Sequence, residues 1–304
     1  MEQSGTLTVP LSAREEAGIP PRRHWMMDLM VRLLTTKPLG TFGAVLVLIM
    51  VMVAMFAPWI APYDPNIING SDALAGAGSK YWLGTDPLGR DVFSRIVWGA
   101  RVSLLVGFTV ILLNTLVSTT IGLLSAYIGG WFDFCVQRLV DAFMSIPWMV
   151  LMLLVISILG QGTFNVIVAL VLAGWAGNSR VIRGAVLATR ESEYVLAAKA
   201  TGCKERTIIL QHILPNIAAP ILVLSTLGLG NIILAEAALS FLGLGVQPPD
   251  PSWGRMLSND GIDYMLDNPG LAIWPGLAIS ITVFGFNMLG DALRDLLDPK
   301  LQGR

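Results

Sequence analysis

Hydrophobic positions in this chain gather into long runs, and polar positions are confined to the gaps between them. Residues 39–61 carry no charge and, at 1.5 Å per helical residue, are long enough to cross a hydrocarbon core of about 30 Å. Runs at residues 102–128, 134–159, 164–182, 216–238 and 271–289 read the same way. The pattern predicts six transmembrane helices and an all-α integral membrane protein whose termini share one side. Pro58 and Pro62 close the first run, because proline cannot donate the next helical hydrogen bond. Pro147 lies inside the third run, where neighbouring helices can satisfy the freed carbonyl, so a kink and not a break is expected.

The gaps are as informative as the runs. Residues 1–38 form a polar tail in which Trp25, Met26, Leu29, Met30, Leu33 and Leu34 recur at helical spacing. That is the mark of a helix lying in the membrane surface, with Arg22, Arg23 and Arg32 among the headgroups. Residues 63–101 and 239–270 are long outer loops rich in Gly, Pro, Asp and Asn. In the first loop Val92, Phe93, Ile96 and Val97 make an apolar stripe with Asp91 and Arg95 off it, which predicts a short amphipathic helix on the outer interface. Residues 293–304 are a charged tail.

The remaining gap, residues 183–215, is longer than a connector needs and is patterned as helix. Glu191 and Glu193 stand at the positive start of a short helix that ends at Thr201, and Gly202 suits the left-handed position after it. Ile208, Ile209 and Ile213 mark one face of a second segment, and Pro215 is tolerable as an opening residue of the next span. Two short helices joined at a glycine make a compact knob. Ala197, Ala198 and Ala200 carry little bulk, so a partner's surface could approach the backbone there. Spacing alone leaves an amphipathic connector resting on lipid equally open.

Composition supports the membrane reading: 54% of residues are hydrophobic and 13% charged, with a mean hydropathy of +0.66, where soluble domains carry roughly 25% charged residues. A net charge of −1 offers no footprint for nucleic acid. Lys80, Arg90, Arg95, Arg101 and Arg255 lie in the two long loops, and the other 15 of the 20 Lys and Arg lie on the side of the tails. The positive-inside rule therefore places both termini and the knob in the cytoplasm. Cys135 and Cys203 fall on that reducing side and are read as small packing residues, not as a disulfide.

Several chemistries are missing. The sequence has no phosphate-binding Gly-rich loop with its Lys-Ser/Thr, no Gly-x-Ser-x-Gly elbow, and only His24 and His212 as histidines, so neither a catalytic role nor a metal site is expected. Glu236 and Asp291 fall at span ends, while Asn114, Asn231 and Asn287 are mid-span and read as interhelical hydrogen-bonding groups. An ion-coupled carrier needs ionisable groups or broken helices at the membrane midplane. Energy is expected from outside the chain, with a self-sufficient ion-coupled transporter as the rival.

One family draws these features together. Ala197-Ala198-x-x-x-Gly202, then Ile209 and His212-Ile-Leu-Pro215-Asn216, resembles the EAA loop of permease subunits from ATP-binding-cassette importers. Leu83-Gly-Thr-Asp-Pro-Leu-Gly-Arg90-Asp-Val-Phe-Ser-Arg95, Gly99-Ala-Arg-Val-Ser-Leu104, Leu239-Ser-Phe-Leu-Gly-Leu-Gly-Val-Gln-Pro248-Pro, Trp253-Gly254 and Asn287-x-x-Gly290-Asp-x-Leu-Arg-Asp-x-Leu-Asp-Pro-Lys300 resemble the C-type permease of dipeptide, oligopeptide and nickel importers.

The resemblance implies the type I ABC importer permease (MetI-like) fold, in a multi-pass protein of a bacterial inner membrane. It also implies a B-type permease as heterodimer partner, one or two ATPase subunits that hold the ATP and Mg, an extracytoplasmic substrate-binding protein, and no cofactor on this chain. It makes Glu193, Leu196, Ala197, Ala198, Lys199, Gly202, His212 and Pro215 the ATPase-coupling residues. Leu196 stands where the family pattern has Glu, and Glu193 is one turn earlier. Asp86, Arg90, Asp91 and Trp253 are candidates for the outer face that meets the binding protein or caps the path, with loop-internal salt bridges and turns as the alternative. Import of peptides, of glutathione or of nickel is compatible with the motifs, as is an efflux variant.

Overall fold

Among the described residues five helices are long and apolar enough to cross a membrane, and a bent pair of shorter ones makes a sixth crossing when taken together. The structure is a computed structural model that describes residues 25–297. The tail at residues 1–24, with Arg22 and Arg23, and the Asp298-Pro299-Lys300 end of the last motif lie outside the described residues. The helices are α1 (Trp25–Thr36), α2 (Pro38–Met55), α3 (Ala57–Ile60), α4 (Val92–Ile128), α5 (Gly130–Ser145), α6 (Trp148–Leu159) and α7 (Thr163–Arg190). They continue with α8 (Glu193–Ala200), α9 (Glu205–Thr207), α10 (Ala218–Phe241), α11 (Trp253–Leu257), α12 (Asn259–Asp263) and α13 (Gly270–Leu297).

Helix α4 is the spine. It lies along α7 on one side, and α10 and α2 pack against it on the other, with α13 wedged between those two. Without a hydrophobic drive between helices in lipid, close backbone approach supplies the attraction, and small residues permit it. A Cβ on Gly122 of α4 would lie 2.5 Å from the Ser179 carbonyl oxygen of α7, and one on Gly43 of α2 would lie 2.8 Å from that of Gly285 in α13. Lys37, between α1 and α2, ties the far end of α13 by an ion pair to Asp295 at 2.6 Å.

Several expectations change. The apolar stripe at Val92–Val97 is no separate interfacial helix: it forms the first two turns of the 37-residue α4. The side chain of Asp91 caps that helix by accepting from the Ser94 N–H at 2.8 Å, and Arg95, expected off the buried face, is buried and donates to the Pro65 carbonyl at 2.9 Å. The fourth and sixth spans likewise run past residues 182 and 289, because their polar ends find partners and stay helical to Arg190 and Leu297.

The third run breaks outright at Pro147, with α5 and α6 meeting at 90°. Proline disfavours helical backbone in the residue before it, and Ile146 takes ψ 127° while Pro147 itself takes ψ 127°, so two successive residues leave the helix. Cys135 and Cys203 are both exposed rather than packed in a core.

Candidate functional site

The knob is built from α8, α9 and the turn that follows them. Helix α8 ends in a Schellman arrangement: the Cys203 N–H donates to the Ala198 carbonyl at 3.1 Å and the Gly202 N–H to the Lys199 carbonyl at 3.0 Å. This closure needs a left-handed residue, and Gly202 sits at φ +76°. After α9 the chain widens into a π-helical turn over Ile208–Ile213, closed by the Leu214 N–H on the Ile209 carbonyl at 2.9 Å. Pro215 cannot donate there, and the Asn216 side chain donates to the His212 carbonyl at 2.6 Å.

Val195, Ala198, Ile208, Ile213 and Ile217 turn inward and form one core with Leu123 and Ala126 of α4 and Ile182 and Val186 of α7. The knob is therefore seated on the membrane helices by apolar packing, the largest favourable term available to it. Ala198 is only 9% exposed, so its small size serves this seat and not a partner's approach, correcting the expectation that it joins Ala197 and Ala200 on the outside. The outward face carries Glu193, Tyr194, Leu196, Ala197, Ala200 and Gly202. Leu196 is 53% exposed, a large apolar side chain that this chain leaves half open. Lys199 is half-buried, its ammonium 5.5 Å from the ring centre of Tyr127, while His212 is half-buried and Pro215 exposed.

Beneath the knob lies a polar ledge that sequence reading had counted only as topological charge. Arg183 of α7 grips Asp133 of α5, which also accepts from Ser125 of α4. That partner holds the Asp133 side chain in place next to Gln137, which donates to Ser125 at 3.1 Å. Arg190 donates to the carbonyls of Ala126 and Tyr127 at 2.8 and 3.1 Å, satisfying the open C-terminal end of α4. Arg180 and Arg138 both pair with Asp141. The signal was the spacing of Arg180, Arg183 and Arg190 along one helix, but without α5 folded beside it their partners could not be read.

At the opposite end of the bundle, Asp86, Arg90, Asp91 and Trp253 come together as scaffold of the long loops. Asp86 is 2% exposed, accepts from the backbone of Leu88 and Arg90 at 2.9 Å each, and pairs with the Arg90 guanidinium at 2.5 Å. Arg90 also reaches Asp260 at 3.2 Å, joining the two loops. Trp253 is buried over Gly99 and donates to the Ile96 carbonyl at 3.0 Å. Asp86 and Arg90 pair within the loops, while Asp91 and Trp253 make their hydrogen bonds to the first turns of α4. Glu236, fully buried in α10, accepts from Ser103 at 3.1 Å and Ser240 at 2.6 Å and so fastens α10 to α4 near these loops.

Between the two ends a cleft of about 430 Å³ opens among α4, α6, α7 and α10, with Asn114, Asn178, Asn231 and Trp148 on its wall. Asn178 donates to Asn114 at 3.1 Å, the interhelical bond expected of mid-span asparagines. Asn231 departs from that expectation: it is exposed and its side chain makes no hydrogen bond to the described residues.

Comparison with known proteins agrees with this architecture. Residues 118–303 match the family described as binding-protein-dependent transport system inner membrane component, and residues 26–76 match the N-terminal TM domain of oligopeptide transport permease C. The chain is 41% identical to the dipeptide transport system permease protein DppC of Alkalihalophilus pseudofirmus, over 88% of each chain. It is 37% identical to the glutathione transport system permease protein GsiD of Escherichia coli, over 99% of this chain and 97% of that one. A solved inward-facing structure of the MetNI methionine ABC transporter superposes with a TM-score of 0.55 at 19% identity, covering 68% of this chain and 97% of that chain. At that identity the likeness speaks for the fold alone.

Proposed function

The chain belongs to the family of binding-protein-dependent transport system inner membrane components, and on that premise we propose that it is the C-type permease subunit of a small-peptide importer. Members of this family are non-catalytic membrane subunits of ABC importers, and hydrolysis lies in their partners. The observation that carries the proposal for this chain is the knob: an exposed apolar and small-residue face backed by a core continuous with α4 and α7. A push on Leu196 or Ala197 is delivered through Val195 and Ala198 straight to two membrane-crossing helices. Such a seat suits a subunit that receives mechanical work instead of performing hydrolysis.

In this reading a B-type permease pairs with the chain, two ATPases that hold ATP and Mg grip the knobs from the cytoplasm, and an extracytoplasmic binding protein delivers substrate. ATP-driven closure of the ATPases draws the knobs together and switches the path from inward to outward opening. The charge bias toward the tail side supports the cytoplasmic position of the knob. Peptide as the substrate class is favoured because both named relatives carry peptides, a dipeptide in one case and glutathione in the other.

The test is co-expression with a B-type permease and ATPase subunits from the same genome, followed by reconstitution in vesicles. Ala197→Arg places bulk and charge on the exposed face without touching the core. The expected result is normal membrane insertion with loss of ATPase co-purification and of binding-protein-stimulated hydrolysis. Unchanged co-purification and stimulation would remove the knob from the coupling route.

A further inference from the structure

We propose that the cleft wall formed by Asn231, Asn178 and the α5–α6 break lines the route of the transported molecule and meets it through neutral amides, taking a peptide by its backbone. This rests on the transporter reading given above. Three observations converge on the same face.

The first is Asn231. It lies in the middle of α10, ten residues from the nearer end, exposed and with no side-chain hydrogen bond to the described residues. A polar side chain at that depth is costly against lipid and normally faces protein or water. The second is the break at Ile146 and Pro147, where extended backbone interrupts a membrane crossing. Irregular backbone at membrane depth is tolerated where it is buried in protein or lines a water-filled cavity, and Trp148 and Met152, directly after the break, stand on the cleft wall. The third is the room made for the polar wall. A Cβ on Gly174 would lie 2.3 Å from Asn114 Nδ2, so glycine is what lets Asn114 sit between α4 and α7 and orient Asn178 by the bond at 3.1 Å.

The chemistry of the wall selects a ligand class. Among the described residues no charged side chain lines the cleft, and its volume of about 430 Å³ falls within the roughly 300–1,000 Å³ of small-molecule sites. An asparagine amide can donate to the carbonyl of a peptide bond and accept from its N–H, so it pairs with a peptide backbone whatever the side chains. Nickel, copper and zinc ions prefer imidazole or thiolate, and neither stands on this wall among the described residues. A neutral amide wall therefore passes peptides of differing sequence and leaves selection to another component.

The experiment uses the assembled complex in vesicles with its binding protein and radiolabelled alanylalanine. Asn231→Leu should lower uptake by about fivefold, the loss of one neutral hydrogen bond. Stimulated ATP hydrolysis should stay near the parent value, and Asn231→Gln should restore uptake. Asn231→Cys should react with a membrane-impermeant thiol reagent in one nucleotide state, judged against the parent with Cys135 and Cys203. Normal uptake in Asn231→Leu would overturn the proposal. So would an Asn231→Cys that reacts only with a lipid-soluble maleimide, or that stays inert because a partner helix covers it. Failure of the underlying transporter reading is separable, since the parent complex would then show no ATP-dependent uptake at all.

Discussion

Arg183 and Asp133 meet through paired hydrogen bonds, Nε to Oδ1 at 2.7 Å and Nη2 to Oδ2 at 2.5 Å, and so join α7 to the start of α5 directly under the knob. Neither side chain is more than about a quarter exposed. A planar bidentate pair of this kind is stronger than an ordinary surface ion pair. Asp133→Asn should lower stability by about 1–2 kcal/mol, read as thermal unfolding of the detergent-solubilised protein. In a double-mutant cycle with Arg183→Met the two should show a coupling of about 1 kcal/mol. Additive effects would mean that the pair forms without holding the ledge together.

Gly202 separates conformation from contact. Its φ is +76°, and a Cβ placed there meets nothing within 4 Å, so a side chain would be strained but would not collide with the protein. Gly202→Asn should cost little, since asparagine tolerates the left-handed region, whereas Gly202→Val should cost about 1–2 kcal/mol. Both variants should still insert and fold. The valine variant projects outward from the knob, and its stimulated ATP hydrolysis should fall further than its stability does; equal hydrolysis in the two variants would show that this turn lies off the docking face.

Much of this fold was legible because a membrane writes its constraints in long apolar runs. The runs at residues 39–61 and 102–128 needed only length and hydropathy, and the knob needed only Gly202 and the isoleucine spacing. What stayed hidden depends on partners. Arg183, Arg190 and Arg95 read as surface charges until α5, the end of α4 and Pro65 stand beside them. The direction of Ala198 was hidden for the same reason, since three alanines in a row of four carry no moment to say which one faces a core. The α5–α6 break turns on a choice at Pro147 between kinking and leaving the helix, which the surrounding packing makes.

Asp260 gives a pH signature outside the membrane-crossing segments. Burial pushes its carboxyl above the ordinary value of 3.8, Asp86 nearby adds to the effect, and Arg90 at 3.2 Å opposes it together with Arg95 and Arg255. A carboxyl whose folded pKa is raised favours the folded state when protonated. Its contribution is full below the ordinary value and is lost as pH rises through the folded value. Asp260→Asn should therefore match the parent in acid and gain on it as pH rises from 3.8 into the neutral range. Thermal unfolding across that range checks it, and a variant that loses ground as pH rises would show that the Arg90 pair outweighs the burial.

Trp253 supports the loop end of the bundle, and its two contributions can be separated. Its indole N–H donates to the Ile96 carbonyl at 3.0 Å, and its ring lies over Gly99, where an added Cβ would sit 3.0 Å from Trp253 Cδ1. Trp253→Phe keeps most of the apolar volume and loses the donor, leaving a buried carbonyl short of one partner, and should cost about 1–3 kcal/mol. Trp253→Ala also opens a cavity at the junction of α4, α10 and α11 and should cost about 3–5 kcal/mol. Gly99→Val forces ring and helix apart and should resemble the alanine variant more than the phenylalanine one. Thermal unfolding ranks the three. An alanine variant as stable as the parent would mean that the loops hold α4 and α10 in register without the tryptophan, through Glu236 and its serines instead.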